Sequence, residues 1–332
     1  MPKPNCPYKN RCGGCLYLDM PPKEYIQKKI NFVKTAFSHN GLSIEFDSFL
    51  IIPFGLRRRV TFAFNKGIVG FNKQKSHEII PMTHCPAIKK ELSDLLPDLQ
   101  NLTKALQKSG DVSLLLTAQG VDVHIKTKKE TPNLNERMLL ADFAVTTKNI
   151  VRLTFNNEPI VEKVPLPFLP DIFLQPSAEG EQLLVNQALA SFQTEKKIVD
   201  LFCGAGTFTK PLTEKGFTAH GYDSAPDSIR ALGPLGTKRD LFRNPLLAEE
   251  LNAFDGIIMD PPRAGALAQT KEIAKSQVKK VVMISCNPIT AARDSAILTQ
   301  NGYKLVKITP IDQFIYTNHI EIICRFEKNT CN

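Results

Sequence analysis

The sequence predicts an α/β protein of two domains, an α+β domain over residues 1–165 followed by a mostly parallel open sheet over residues 166–332. Three observations carry this expectation. Short β-branched runs such as Lys280-Val281-Val282-Met283-Ile284 recur in the second half with helical stretches between them, as strands buried on both faces of a parallel sheet do. Val164 to Pro170 holds three prolines in seven residues, which suits an extended linker. The first half is instead rich in hairpin signals. A chain of 332 residues, 42% hydrophobic and without an apolar run long enough to span a bilayer, can bury two cores.

The formal net charge is +9, and the excess is early: residues 1–90 hold 15 Lys and Arg against 5 Asp and Glu, the remainder 27 against 28. A localised basic excess suits a polyanion, and with Phe62, Phe64 and Phe71 interleaved it favours nucleic acid over a membrane surface. The plainer alternative is a solvated basic face. Met1 to Asn5 has no apolar segment behind its lysine, so the expectation is a cytoplasmic protein without a secretory leader. Its eight cysteines would then stay reduced, which points to metal binding or catalysis rather than disulfides.

Cys6, Cys12 and Cys15 form a C-x5-C-x2-C group in a loop where Gly13 and Gly14 allow tight wrapping, and Cys85 supplies a fourth thiol. Four thiolates suit a tetrahedral zinc or a four-iron, four-sulfur cluster. Zinc sites more often come as two close pairs, and three plus one favours iron and sulfur. Between these cysteines, 57–64 and 68–71 read as a hairpin turning at Asn65-Lys66-Gly67, with Arg57, Arg58 and Arg59 either holding phosphates or guarding a strand edge. Helical spacing follows over 87–108, broken by Pro97, and 112–118 with 121–125 form a second hairpin through Gln119-Gly120.

Beyond the linker, a helix over 178–192 precedes the strand that ends in Asp200 to Phe208, where Gly204 and Gly206 let a ligand approach the backbone. A second strand ends at Asp223, about 20 residues on, where a carboxylate can take both ribose hydroxyls. The turn lacks the third glycine of the dinucleotide fingerprint, so S-adenosylmethionine fits better than NAD. Cys203 faces this turn as a structural residue. A third strand ends in Asp260-Pro261-Pro262-Arg263, the prolines aiming Asp260 off the strand tip; the place of Arg263, where N-methyltransferases carry an aromatic, speaks against N-methylation. The fourth ends in Ser285-Cys286-Asn287-Pro288, a thiol at the strand's carboxyl edge with Pro288 suited to a first helical turn. Asp312-Gln313-Phe314, Thr317 and His319 precede a last strand over 320–326, in which Glu321 is costly to bury unless it is paired or used as an acid or base.

These motifs resemble the uracil-5-carbon RNA methyltransferases that use S-adenosylmethionine. Phe173-Leu174-Gln175, Asp200 to Phe208, Asp260 to Arg263, Ser285 to Pro288 and Thr317-x-His319-x-Glu321 follow that family's order and spacing, and the match covers nearly the whole chain. The resemblance implies a Rossmann-like class I methyltransferase domain with an N-terminal iron-sulfur and RNA-binding domain. It makes Cys286 the nucleophile, Glu321 the proton acceptor, and Gln175, Phe202, Asp223 and Asp260 cofactor-site residues. Cys6, Cys12, Cys15 and Cys85 would bind a 4Fe-4S cluster. Members often carry Asn for Ser177, Glu for Asp223, and Pro-His for Ile315-Tyr316. With Cys6 so near the start, the chain is expected to lack the oligonucleotide-binding domain of many members and to be similar to the short 23S ribosomal RNA enzymes. The expected partner is RNA, 23S ribosomal before transfer RNA, with no membrane and a monomeric chain. The rivals are the same reaction on transfer RNA and a non-catalytic iron-sulfur RNA-binding protein.

Overall fold

The computed structural model describes residues 4–329 except 47, 129, 130, 171 and 173. Phe173 and the start of the expected leaderless terminus, Met1 to Lys3, therefore lie outside the described residues. The chain forms two compact units, one of residues 1–19, 53–178 and 315–317, the other of 20–52, 179–314 and 318–332. The expectation placed one boundary after residue 165; in the structure residues 20–52 belong with the second unit. No helix of the described residues is long and apolar enough to cross a membrane.

The first unit is built on a seven-stranded sheet, in the order Ile79–Pro81, Ile68–Asn72, Arg59–Asn65, Ser109–Leu116, Val121–Thr127, Ile150–Phe155 and Glu158–Glu162. Both expected hairpins are present. Neighbours are antiparallel except Val121–Thr127 with Ile150–Phe155. That parallel pair needs a crossover, which the helix Leu134–Thr146 provides, started by an Asn133 and Glu136 capping box. The helical stretch is broken just ahead of Pro97, between the short helix Lys90–Ser93 and Leu96–Leu106, and Pro97 stands in the first turn of the latter, where its missing N–H has no intrahelical role. Leu96, Leu99, Leu102 and Leu106 of that helix join Phe62, Phe64 and Val69 in the core.

The second unit carries an eight-stranded sheet, in the order Leu50–Ile51, Tyr303–Asp312, Glu321–Lys328, Lys280–Ser285, Gly256–Met259, Lys197–Leu201, Thr218–Asp223 and Gly236–Lys238. The last five run parallel to one another; Glu321–Lys328 is antiparallel to both its neighbours. Lys280–Ser285 is buried along nearly its whole length, as its β-branched run implies. The helix Pro22–Ser38, which the sequence reading passed over, belongs here because Tyr25, Lys29, Val33, Ala36 and Phe37 recur at helical spacing on one buried face. Val33, Ala36 and Phe37 share a core cluster with Ala291 and Ala292 of the helix Pro288–Gln300.

Lys29 interrupts that apolar face and is only 3% exposed. Its ammonium lies 3.1 Å from Asp312 Oδ1 and also donates to the carbonyl of His319, while the Tyr25 hydroxyl donates to Asp312 Oδ2. A buried charge left without its partner is strongly destabilising. Lys29→Met is therefore expected to lower unfolding stability by about 3–5 kcal/mol, and adding Asp312→Leu is expected to recover part of the loss. Denaturant unfolding of the two variants measures this.

Candidate active site

Strand register builds the site. Leu201 pairs with Tyr222 on one side and Met259 on the other, and Met259 pairs with Met283, so the parallel strands end nearly level. Phe202, Asp223, Asp260 and Cys286 consequently stand along one carboxyl edge, where open α/β sheets bind ligands. Glu321 arrives from the opposite direction. Ser285 pairs with Ile322 in an antiparallel ladder, and one further step sets Cys286 across from Glu321.

Cys286 occupies the two-residue junction between its strand and the helix Pro288–Gln300. Asn287 caps that helix by accepting from the Ile289 N–H at 3.2 Å, and Pro288 begins it. The Asn287 N–H donates to Ser285 Oγ at 3.1 Å, which fixes the bend at the thiol. The loop that follows Asp260 is clasped onto the same helix. Asn287 Nδ2 and Thr290 Oγ1 donate to the Arg263 carbonyl at 2.9 and 3.2 Å, and the Ala266 N–H donates to Asp294 Oδ2 at 2.8 Å. Gly265 has φ +75°, and a Cβ there would stand 2.6 Å from Arg293 Nη2 and 2.8 Å from Asp294 Oδ2, so the fit requires glycine.

On the other side, Asp223 ties its turn together by accepting from the Gly204 N–H at 3.0 Å and the Ala225 N–H at 2.8 Å. Gly204 has φ +52° with nothing within 4 Å of where a Cβ would stand. The turn thus leaves open space above it, as a bound adenosyl group needs. Cys203 is buried, and its sulfur would be only 2.6 Å from a Cβ on Gly221, a packing role that agrees with the structural reading.

The electrostatics at this edge are negative. Burial pushes the Glu321 carboxyl up to about 8, with Asp260 adding to the rise and a hydrogen bond from Gln313 opposing it. Burial raises Asp260 to about 7 and Asp200 to about 7, the latter despite a 2.6 Å bond from Thr209 Oγ1. The Cys286 thiol is pushed up to about 11 by burial and then by Glu321 and Asp260, while Arg263 pulls it down. A thiol, a carboxyl able to hold or take a proton, and a second carboxyl are thereby gathered in one buried setting. Gln175 belongs to the first unit, where its carbonyl accepts from Arg58 Nε at 3.1 Å, and Thr317 belongs to that unit too.

Within the first unit, Cys6, Cys12, Cys15 and Cys85 line one pocket of about 220 Å³ with Tyr8, Arg57 and Phe71. The loop is docked by the Gly13 N–H to the Asn72 carbonyl at 3.1 Å, and the Gly14 N–H points at Cys12 Sγ at 3.3 Å. Burial raises the Cys15 thiol to about 12 and Cys85 to about 11, with Arg57 opposing both. Among the described residues no three Cys, His, Asp or Glu side chains gather tightly enough to hold a metal ion.

Comparison with known proteins decides the family. The family model described as tRNA (Uracil-5-)-methyltransferase matches residues 234–329, the stretch holding Asp260, Cys286 and Glu321. An uncharacterized RNA methyltransferase of Brucella suis is 36% identical over 98% of this chain and 84% of its own length. The chain belongs to the RNA uracil-5-carbon methyltransferases. The 23S rRNA (uracil(1939)-C(5))-methyltransferase RlmD of Aliivibrio salmonicida is 28% identical over 98% of this chain and 82% of its own. The crystal structure of the Pyrococcus abyssi tRNA (uracil-54, C5)-methyltransferase with S-adenosyl-L-homocysteine shares the fold, with a TM-score of 0.73 and 21% identity over 95% of this chain and 86% of that one.

For this methyltransferase the sequence named the thiol and carboxylates that the second unit brings to one edge. It gave no role to Lys29, and it named Gln313 without seeing its bond to Glu321, because both act through partners hundreds of residues away or across a loop. All three carboxyls are raised, so the folded state favours their neutral forms; that preference is fully met below their ordinary range and lost as pH climbs through about 7 to 8. Glu321→Gln removes one of them. The variant is expected to match the parent near pH 4.5 and to exceed it increasingly up to pH 8.5, by about 4–5 kcal/mol. Thermal unfolding of both proteins across that range provides the check.

Proposed function

We propose that this protein methylates carbon 5 of a uridine in 23S ribosomal RNA, through a covalent bond between Cys286 and the uracil ring. The observation that carries the reading is Cys286 set opposite the buried carboxyl of Glu321 at the strand tips. Carbon 5 of uracil is a weak nucleophile. Cys286 gives up its proton to solvent water and its sulfur bonds to carbon 6, moving the ring's electron pair toward the neighbouring carbonyl so that carbon 5 becomes nucleophilic. S-adenosylmethionine supplies an electrophilic methyl group when bound, and the open turn at Gly204 fits its adenosyl part. Glu321 then takes the proton left on carbon 5, the ring double bond re-forms, and the sulfur leaves with its electron pair. Asp223 and Phe202 are proposed to hold the cofactor, Asp260 to orient ring or cofactor, and Gln175 keeps its cofactor role on the family resemblance.

The first unit is proposed to grip RNA through its basic residues, with the uridine flipped out of its stack. The four thiols sharing one pocket support a 4Fe-4S cluster over zinc. All four cysteines line one pocket, and their three-plus-one spacing is the reason to prefer the cluster. Ribosomal rather than transfer RNA is favoured by similarity to two RlmD proteins, 28% and 29% identical over 98% of this chain and 82% of their own length. A cytoplasmic location is proposed with it, since an RNA substrate and cysteines used as thiols suit a reducing compartment.

The test offers 23S RNA and unmodified transfer RNA in competition with labelled S-adenosylmethionine and maps 5-methyluridine by mass spectrometry. Label in the 23S RNA is expected; label confined to transfer RNA would overturn the substrate. Cys286→Ala is expected to lose at least a thousandfold in rate while keeping RNA affinity, and Glu321→Gln to accumulate a methylated protein-RNA adduct. Anaerobically purified protein is expected to be brown, with iron and sulfide lost in Cys12→Ser; zinc without iron would remove the cluster from the account.

A further inference from the structure

Arg263 is placed where neither half of the proposed mechanism uses it. Its backbone carbonyl is held by Asn287 and Thr290, from the segment that carries the nucleophile. Its side chain reaches the other way, Nη1 standing 3.2 Å from Nδ1 of His319, two residues before Glu321. The His319 carbonyl is in turn fixed by the buried Lys29 ammonium, and its ring packs 5.6 Å from that of Phe314. Arg263 is therefore held at its backbone by the segment that follows the thiol and at its exposed guanidinium by His319, just ahead of the carboxyl.

We propose that Arg263 is the electrostatic partner that makes the Cys286 thiolate accessible, and that His319 is the positioning residue that holds Arg263 to this task. The charged groups facing Cys286 are Glu321 from the antiparallel strand, and Asp260 and Arg263 from the loop after Gly256–Met259. On its own helix, Arg293 and Asp294 pair with each other and with the loop backbone instead. Burial and both carboxyls oppose the thiolate, so removing its proton near neutral pH grows harder as those carboxyls ionise. The Arg263 cation opposes that field, and its contact with His319 keeps the exposed guanidinium at this edge instead of spread over other rotamers. The arrangement also separates two demands on one site, since Glu321 must be basic late in the reaction while Cys286 must be acidic early.

The proposal rests on Cys286 being the nucleophile, but its test does not need RNA. The rate of alkylation of Cys286 by uncharged iodoacetamide, read at that peptide by mass spectrometry from pH 6.5 to 10, reports the thiolate directly. Arg263→Gln is expected to slow alkylation at pH 8 by about threefold to tenfold and to move the profile to higher pH. Arg263→Lys should restore most of it, and His319→Asn should fall between. An unchanged pH profile in Arg263→Gln would overturn the proposal. So would an unchanged profile accompanied by weaker RNA binding, which would make Arg263 a phosphate contact. Methyl transfer retained by Cys286→Ala would sink the nucleophile reading while leaving the alkylation result to stand by itself.

Discussion

Three carboxyl groups buried at one sheet edge set the terms for the second unit. Asp200, Asp260 and Glu321 each lose hydration, Asp260 lies near enough to both others to raise them, and the Cys286 thiol feels two of the three. Such a cluster opposes folding, since ionising its members in a poor dielectric costs free energy. It persists because neighbouring groups are tied down firmly. Thr209 holds Asp200, Gln313 holds Glu321, and the loop after Asp260 is stitched to the nucleophile's helix at Asn287, Thr290 and Asp294. The sheet register then lines these groups up without any further device.

The strand order explains why an antiparallel strand belongs at this edge. Parallel strands present only their carboxyl ends to the ligand side. Glu321–Lys328 runs the other way between Tyr303–Asp312 and Lys280–Ser285, so its first residue meets the last residues of its neighbours. A side chain can thereby face the thiol from across a ladder rather than from a mobile loop. The helix Pro22–Ser38 reinforces the same segment, since Lys29 and Tyr25 fix Asp312 and the His319 carbonyl on either side of the loop that carries Gln313.

The first unit solves a separate problem. Its thiols are drawn from a glycine-bearing loop and from Cys85 across the hairpin Arg59–Asn65 and Ile68–Asn72, and burial raises Cys12, Cys15 and Cys85.

The sequence by itself determined the elements whose periods are local: both hairpins of the first unit, the buried strand Lys280–Ser285, the proline that starts the helix after Cys286, and the residue types gathered at the strand tips. Those follow from neighbours within a few residues, where propensity and spacing act. Tertiary structure alone decided that residues 20–52 join the second unit and that Glu321 lies near Cys286. It likewise decided that Arg263 links the two through His319. These depend on contacts between segments far apart in the chain, such as Lys29 with Asp312, whose value arises only once both are buried together.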